Sequence, residues 1–227
     1  RQMCIRDRFI NRYAGGSPLA HSDKIKFIIS GPSSFLYFDE NRYQDPNSWA
    51  IPSSCNNYNE YKYGLEDLNN YMSIAGVDSI VSRYQDRQIT YLVGALDNGG
   101  TTDCQSMAQG QNRLDRTLNY YNYLRYFFGQ EIVEKQKIII IPNEDHYHND
   151  IFSSPCGQKA IFGSGNCQQI DDLTAPSAIF SSNTTFGSYP LVVNFMNNST
   201  QGTHEIRHSL CLLYTSDAAD DSLRVDL

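Results

Sequence analysis

The sequence has little positive charge, no long hydrophobic run and no excess of the residues that mark unusual compositions. Lys and Arg number 18 against 25 Asp and Glu, which gives a net charge of −7. Without a basic run, the chain lacks the positive surface that non-specific nucleic-acid binding requires. No apolar stretch approaches the roughly 18–20 residues of a membrane-spanning helix, so we expect no membrane span. The 15 Gly and 8 Pro exclude collagenous and low-complexity chains.

Signals for metals and cofactors are sparse as well. Six Cys are too few for a disulfide scaffold, and their spacing does not match a zinc ribbon. The run Asn98-Gly99-Gly100 is not followed directly by a helix start, so it indicates a turn rather than a phosphate cradle. We therefore expect no cofactor.

Both ends of the sequence match translated adapter DNA. Residues 1–8 match the translation of a transposase mosaic end used to prepare DNA for sequencing, and residues 211–220 match that of its reverse complement running into the adapter. We therefore expect residues 1–8 and 211–227 not to belong to the protein. This interpretation leaves a gene cut at both ends, in which the lack of a signal peptide has no meaning.

Three apolar, β-branched runs predict strands, at residues 25–29, 89–93 and 138–141. The last two are continuous apolar runs, typical of strands buried on both faces of a mostly parallel sheet. Between them a predicted helix of about four turns ends at Gly129, and its apolar side chains recur at spacings of three and four: Leu114, Leu118, Tyr121, Leu124 and Phe128. Strand, helix and strand form a right-handed crossover, which predicts an α/β fold with flanking helices. Further helices are predicted at residues 65–74 and 155–162.

Two segments depart from this pattern. Residues 37–63 are rich in Asn, Tyr, Pro and Ser without a clear period, and they contain the single Trp, Trp49. We expect a long surface excursion there with Trp49 on a candidate substrate loop, because long loops in compact domains are usually functional. After Gly163 the chain becomes rich in Ser, Thr and Asn with alternating apolar residues, which is typical of a β-sandwich, so we place a domain boundary near Ile170.

Asp97 and His146 follow successive predicted strands. The carboxyl ends of strands in an open α/β sheet form the ligand crevice, so the two side chains can meet there. A carboxylate holds an imidazole in one tautomer and stabilises the imidazolium that forms when His takes a proton from a nucleophile. The order of acid before His is that of enzymes in which Ser comes first in the chain. Asp103 is the alternative acid.

Other patterns allow a second interpretation. His148 with His146 forms a His-x-His pair that could bind a metal with Glu144, Asp145 or Asp150, but no third partner elsewhere is evident, so we expect no metal site. The Tyr-rich stretch 120–126 suggests sugar stacking, yet its apolar spacing favours core packing.

Cys104 follows the acid loop and Cys156 follows the His loop, so we expect a Cys104–Cys156 disulfide on one rim of the sheet. The alternative is that the Cys residues are reduced and buried.

The sequence resembles the C-terminal half of a secreted bacterial α/β-hydrolase of the esterase and polyester-depolymerase-like type. The resemblance covers roughly residues 9–162. The matching segments are Phe9-Ile10-Asn11-Arg12-Tyr13-Ala14, Pro32-Ser33-Ser34-Phe35-Leu36-Tyr37, Tyr61-Lys62-Tyr63-Gly64-Leu65, Gln109-Gly110-Gln111-Asn112-Arg113-Leu114-Asp115-Arg116, and His146 with Phe152-Ser153-Ser154-Pro155-Cys156-Gly157. One position departs from the family pattern, because Asp145 stands where the family usually has Gly.

The resemblance implies a partial α/β-hydrolase fold over residues 9–170, with Asp97 as triad acid and His146 as base. It places the Ser nucleophile upstream of Phe9, so the chain alone is expected to be inactive. The expected substrate is a small or polymeric ester, and the expected location is extracellular. A non-catalytic domain that binds surface polysaccharide and a peptidase on the same fold are the alternatives.

Residues 171–210 carry a second resemblance, to the opening of a PKD-type (polycystic-kidney-disease) immunoglobulin-like domain. The matching segments are Ala175-Pro176-Ser177-Ala178-Ile179-Phe180, Gly187-Ser188-Tyr189-Pro190-Leu191-Val192-Val193-Asn194-Phe195 and Asn198-Ser199-Thr200. It implies the first strands of a truncated β-sandwich.

Overall fold

The computed structural model describes residues 9–44 and 48–168, and the backbone of two short strands further along the chain. The chain divides into two compact units, Arg1–Leu173 and Thr174–Leu227. In the second unit, the described strands Phe180–Ser182 and Phe195–Asn197 pair antiparallel. The expected adapter residues 1–8 and 211–227 lie outside the described residues, as does most of the expected PKD-like segment.

The first unit contains five strands and six α-helices in its described part. Its strands are β1 (Lys26–Ser30), β2 (Arg42–Gln44), β3 (Ser48–Ala50), β4 (Gln88–Gly94) and β5 (Gln136–Ile141). Its α-helices are α1 (Asn70–Ala75), α2 (Val77–Asp86), α3 (Cys104–Met107), α4 (Arg113–Phe128), α5 (His148–Ser153) and α6 (Pro155–Phe162). A π-helical turn, Asn11–Gly16, comes first in the described chain. The described part contains no helix long and apolar enough to cross a membrane.

The strands β1, β4 and β5 form a parallel sheet in the order β1-β4-β5. Alternate residues of β4 pack on opposite faces of the sheet. Tyr91 and Val93 pack in clusters that include residues of α4, and Leu92 packs with residues of α5 and α6. The predicted α/β class with a parallel sheet and flanking helices is therefore confirmed. Continuous apolar sequence made these strands predictable, because both faces of the sheet are covered.

The crossover between β4 and β5 runs through α4, as the sequence predicts. The Asn112 side chain caps the first turn by accepting a hydrogen bond from the Asp115 N–H, and the helix ends at Gly129 with φ of 92°. Helix α6 spans the predicted residues 155–162 and ends at Gly163, which is left-handed. The predicted core role of the Tyr-rich stretch is confirmed, since Tyr120 and Tyr123 are buried.

Three helices differ from the predictions. The helix expected at residues 65–74 begins only at Asn70, because Asn69 caps it by accepting from two backbone N–H groups. Gly76 ends α1 and also begins α2. Helix α2 was not predicted, because a glycine after a helix indicates only that the helix ends. Helix α5 is short and mostly polar, with Ile151 as its buried residue, so it carries no apolar period.

Parts of the segment 37–63 pack against the core, whereas residues 48–54 lie mostly at the surface, as expected. Tyr37 and Phe38 are buried among the rings of α4. Arg42 is fully buried and donates hydrogen bonds to the backbone carbonyls of Asp39, Asn41 and Tyr58. A guanidinium that gathers carbonyl groups lets an irregular segment be buried without leaving its backbone unpaired. This role has no periodic signature in the sequence.

Candidate active site

The loops that follow β4 and β5 are joined at the carboxyl edge of the sheet. The Ala95 N–H donates to the Ile141 carbonyl and the Leu96 N–H to the Glu144 carbonyl, each at 2.9 Å. A Cβ atom at Gly94 would lie only 2.2 Å from the Glu144 carbonyl oxygen, so the two loops can approach this closely only at a glycine. The edge is therefore built to bring residues from both loops together.

Asp97 and His146 meet at this edge. The distance from His146 Nδ1 to Asp97 Oδ2 is 2.9 Å, and the Asp97 side chain is 2% exposed against 26% for His146. When the Nδ1–H donates to a carboxylate, Nε2 becomes the nitrogen that can accept a proton. The two residues thus have the geometry of an oriented general base, with the acid buried and the imidazole reaching solvent.

Arg113 is the other partner of the Asp97 carboxylate. Its Nη1 lies 3.1 Å from Asp97 Oδ1, and both side chains are nearly buried. Backbone hydrogen bonds also join the first turn of α4 to the acid loop. The Arg113 N–H donates to the Gly99 carbonyl, and the Leu114 N–H donates to the Asp97 carbonyl. The first turn of α4 therefore holds the acid loop through side chain and backbone together.

Gly31, directly after β1, lies close to the side chains of Asp97 and His146. A Cβ atom at this position would lie 3.0 Å from both Asp97 Oδ2 and His146 Nδ1, and its φ is +45°. The Gly31 N–H donates to the Leu92 carbonyl at 2.9 Å, which fixes the loop to β4. Glycine is required here for space and for conformation.

Arg116 connects the loops around the site. It is fully buried, and it donates to the carbonyls of Gly110, Ser33 and Thr101 at 2.8, 2.9 and 2.7 Å. Sequence reasoning did not assign Gly31, Arg113 or Arg116 to the site. A signal was present, because two Arg in the first turn of a helix oppose the helix dipole and so indicate specific partners.

Asp103, the alternative acid, has another role. It caps α3 by accepting from the Ser106 N–H at 2.9 Å and the Ser106 hydroxyl at 3.0 Å, and Tyr63 donates to it at 3.3 Å. Burial by itself raises the pKa of Asp103, but the hydrogen bonds from Ser106, Thr101 and Tyr63 outweigh it and hold the pKa below its usual value. In the structure the carboxylate that contacts His146 is that of Asp97.

The expected Cys104–Cys156 disulfide is wrong. Cys104 pairs with Cys55, and Cys156 pairs with Cys167. Packing explains the difference: Cys104 begins α3 and contacts the buried Cys55, whereas Cys156 lies in the first turn of α6, against the chain that follows this helix. An irregular segment such as 37–63 has no period in the sequence, so the proximity of Cys55 to the acid loop was not predictable.

Trp49 and His148 lie away from the Asp97–His146 contact. Trp49 stacks on Tyr126, which is 13 residues along α4 from Arg113, a distance of about 20 Å at 1.5 Å per residue. His148 begins α5 and is exposed. Among the residues that the structure describes, no cluster of His, Cys, Asp or Glu could hold a metal ion. Asp145 accepts from the Tyr147 N–H at 2.8 Å and forms a local turn.

Comparisons with known proteins add a structural likeness. No family model matches the chain, and no curated protein matches it. Among solved structures it is similar to the crystal structure of LpqC, a poly(3-hydroxybutyrate) depolymerase from Bordetella parapertussis, with a TM-score of 0.48 and 15% identity. The match covers 71% of this chain and 48% of the other, so the chain spans about half the length of that protein.

Proposed function

We propose that Asp97 and His146 are the acid and the base of a Ser-Asp-His triad in a carboxylic-ester hydrolase. The observation that carries the proposal is the 2.9 Å contact between His146 Nδ1 and a buried Asp97 carboxylate at the carboxyl edge of a parallel sheet. The nucleophilic Ser belongs to a segment upstream of Phe9. Small esters and polyesters are the proposed substrates.

In this reaction the Ser hydroxyl attacks the ester carbonyl while His146 Nε2 takes its proton. Asp97 stabilises the resulting imidazolium, and Arg113 keeps the Asp97 carboxylate fixed. His146 then protonates the leaving alkoxide, and it activates a water molecule that hydrolyses the acyl-enzyme. The oxyanion is bound by backbone N–H groups, one of them from the residue after the nucleophile.

We further propose that the enzyme is extracellular and that residues 171–210 begin a PKD-like module. The two disulfides support an oxidising compartment. The antiparallel pairing of Phe180–Ser182 with Phe195–Asn197 supports a β-structured segment. Residues 1–8 and 211–227 are proposed to be adapter-derived.

The test begins with the gene. Extending the reading frame upstream from the codon for Phe9 in source DNA is expected to replace residues 1–8 and to reveal Gly-x-Ser-x-Gly within a few codons. The extended protein should hydrolyse p-nitrophenyl butyrate, and His146→Ala should reduce kcat by about 10⁴-fold or more. His148→Ala is the matched control, because it removes an exposed imidazole from the same segment. An upstream sequence without the Ser motif would contradict the proposal.

Two further measurements separate the alternatives. A panel of acyl esters, polyester films and peptide amides distinguishes an esterase from a peptidase with the same triad. The 227-residue chain should not react with a fluorophosphonate probe, since its nucleophile is proposed to lie upstream. Labelling of a Ser in this chain would overturn that part of the proposal.

A further inference from the structure

A cleft lies between the β2–β3 hairpin and the second half of α4. It encloses about 380 Å³, and we call it the aromatic cleft. Its lining consists of three aromatic residues and three polar residues: Tyr43, Trp49, Tyr126, Asn122, Arg125 and Gln130. The distance along α4 separates this cleft from Asp97 and His146, so its role does not depend on the proposed triad.

The aromatic side of the cleft consists of rings that pack on one another. Trp49 stacks on Tyr126 with ring centroids 4.9 Å apart and an interplanar angle of 18°, and Tyr43 meets Trp49 edge-on at 5.7 Å. The Trp49 ring also contacts Tyr123, which is fully buried in the core. The hairpin therefore holds the Trp49 ring in one position against the helix.

Packing against the core accounts for an aromatic ring at Trp49 but not for one at Tyr126. The Tyr126 side chain is 52% exposed even with Trp49 stacked against it. An aromatic ring held rigid and half open to water offers an apolar face at little cost in side-chain entropy. Such a face suits a ligand that has a flat apolar surface of its own.

The polar side of the cleft offers planar hydrogen-bonding groups. The Arg125 Nε–H donates to Gln130 Oε1 at 2.7 Å, which orients both side chains. A guanidinium has five N–H donors, so this bond leaves most of its donor capacity for other partners, and the amides of Asn122 and Gln130 provide both donors and acceptors. Among the described residues that line the cleft, none carries a carboxylate.

We propose that the aromatic cleft binds the sugar rings of a neutral polysaccharide. A pyranose ring presents a face of C–H groups and a rim of hydroxyls, which match the Tyr126 face and the amide and guanidinium groups beside it. Few polar groups arranged around an apolar face are the usual composition of a ligand site. Arg125 is the single charged group among the described lining residues, whereas binding of a polyanion uses several cations.

The single Trp makes this binding directly measurable. Because Trp49 is the only Trp in the sequence, its fluorescence reports on the aromatic cleft alone. The 227-residue chain is titrated with neutral hexasaccharides of glucose, xylose and mannose, and separately with an oligomer of 3-hydroxybutyrate. The expected result is a saturable change in Trp49 emission with at least one sugar, with a dissociation constant of about 1 mM or tighter.

Variants of Tyr126 test the stacking face. Tyr126→Ala should weaken sugar binding by at least about fivefold, whereas Tyr126→Phe should retain it because the ring face remains. Arg125→Gln, which leaves the aromatic rings in place, should also weaken binding. Tyr147→Ala is the matched control, since Tyr147 is 54% exposed and lies outside the cleft. Far-UV circular dichroism of each variant reports its folding.

Three results would overturn the proposal. The first is the absence of a saturable response to every sugar from a folded chain. The second is equal sugar affinity in Tyr126→Ala, Arg125→Gln and the parent. The third is a response to the 3-hydroxybutyrate oligomer without one to sugars, which would assign the aromatic cleft to a polyester.

Discussion

At the scale of single residues, the Asp97 carboxylate is the centre of the candidate site, because it contacts an imidazole and a guanidinium while almost fully buried. A carboxylate removed from water must keep its partners, since an unpaired buried charge is costly. The pair with Arg113 therefore matters for the folded state as well as for the orientation of His146.

Arg113→Gln is expected to destabilise the chain by about 3–5 kcal/mol, because it leaves the buried Asp97 carboxylate without its cation. Urea-induced unfolding measures the difference. Lys135→Gln is the control, since Lys135 pairs with Asp86 at 2.7 Å but both side chains are about half exposed or more, and such a pair contributes about 1 kcal/mol at most. Equal effects of the two substitutions would contradict the importance of the buried pair.

Gly31→Ala is expected to be more harmful than its backbone conformation alone explains. The new Cβ would lie 3.0 Å from Asp97 Oδ2 and His146 Nδ1, whereas a Cβ at Gly163, also at positive φ, meets nothing within 4 Å. Gly163→Ala should thus cost only the conformational strain, about 1–2 kcal/mol. Thermal unfolding of both variants measures the excess at Gly31, and equal losses would show that its surroundings yield without cost.

Asp103 makes the stability of the folded chain depend on pH, in a direction that follows from its lowered pKa. A carboxylate with a lower pKa in the folded state stabilises the fold above its unfolded pKa of about 3.9, and this stability is lost as pH falls through the folded pKa. Asp103→Asn keeps a capping side chain without the charge. The thermal midpoint of the parent should exceed that of the variant near neutral pH and approach it in acid; a constant difference would contradict this charge effect.

At the scale of elements, the two disulfides fasten different parts of the unit. Cys55–Cys104 joins the segment 37–63 to the start of α3, and Cys156–Cys167 joins α6 to the chain after it. The first closes a much longer stretch of chain, with a sequence separation of 49 against 11. Loop length therefore distinguishes their contributions to stability.

Replacing Cys55 and Cys104 together by Ser is expected to destabilise the chain by about 4 kcal/mol, against about 3 kcal/mol for Cys156 and Cys167, because a longer closed loop restricts the unfolded chain more. Chemical unfolding of the two double variants under identical conditions compares them. A larger loss for Cys156 and Cys167 would show that native packing around α6 decides the effect instead.

At the scale of the whole first unit, the parallel sheet sets the order of local stability. Strand β4 is paired with β1 on one side and β5 on the other, and its residues Leu92 and Val93 are fully buried. The hairpin strands β2 and β3 pair with each other and are more exposed. Elements with more buried neighbours open less often.

Hydrogen exchange should therefore be slowest in β4 and fastest in the β2–β3 hairpin. Exchange measured by mass spectrometry on peptides covering residues 88–94 and 42–50 tests this order. Similar protection in the two peptides would mean that the hairpin opens only with the whole unit, which would make the aromatic cleft as rigid as the sheet.

The sequence by itself determined the sheet and its crossover. Strands β1, β4 and β5 and helices α4 and α6 were predictable because buried strands and amphipathic helices have recognisable apolar patterns, and Asn112, Gly129 and Gly163 mark helix ends. Asp97 and His146 were predicted as a site because both follow strands, and parallel strands end at one edge.

Only the tertiary structure decided what packs around that edge. The disulfide partners, the burial of Tyr37 and Arg42, the approach of Gly31 and the links made by Arg113 and Arg116 all join residues far apart in the chain. Such contacts depend on how loops are folded back onto the sheet, and loops have no period that a sequence can reveal. The same holds for Trp49, whose place on α4 follows from the hairpin that carries it.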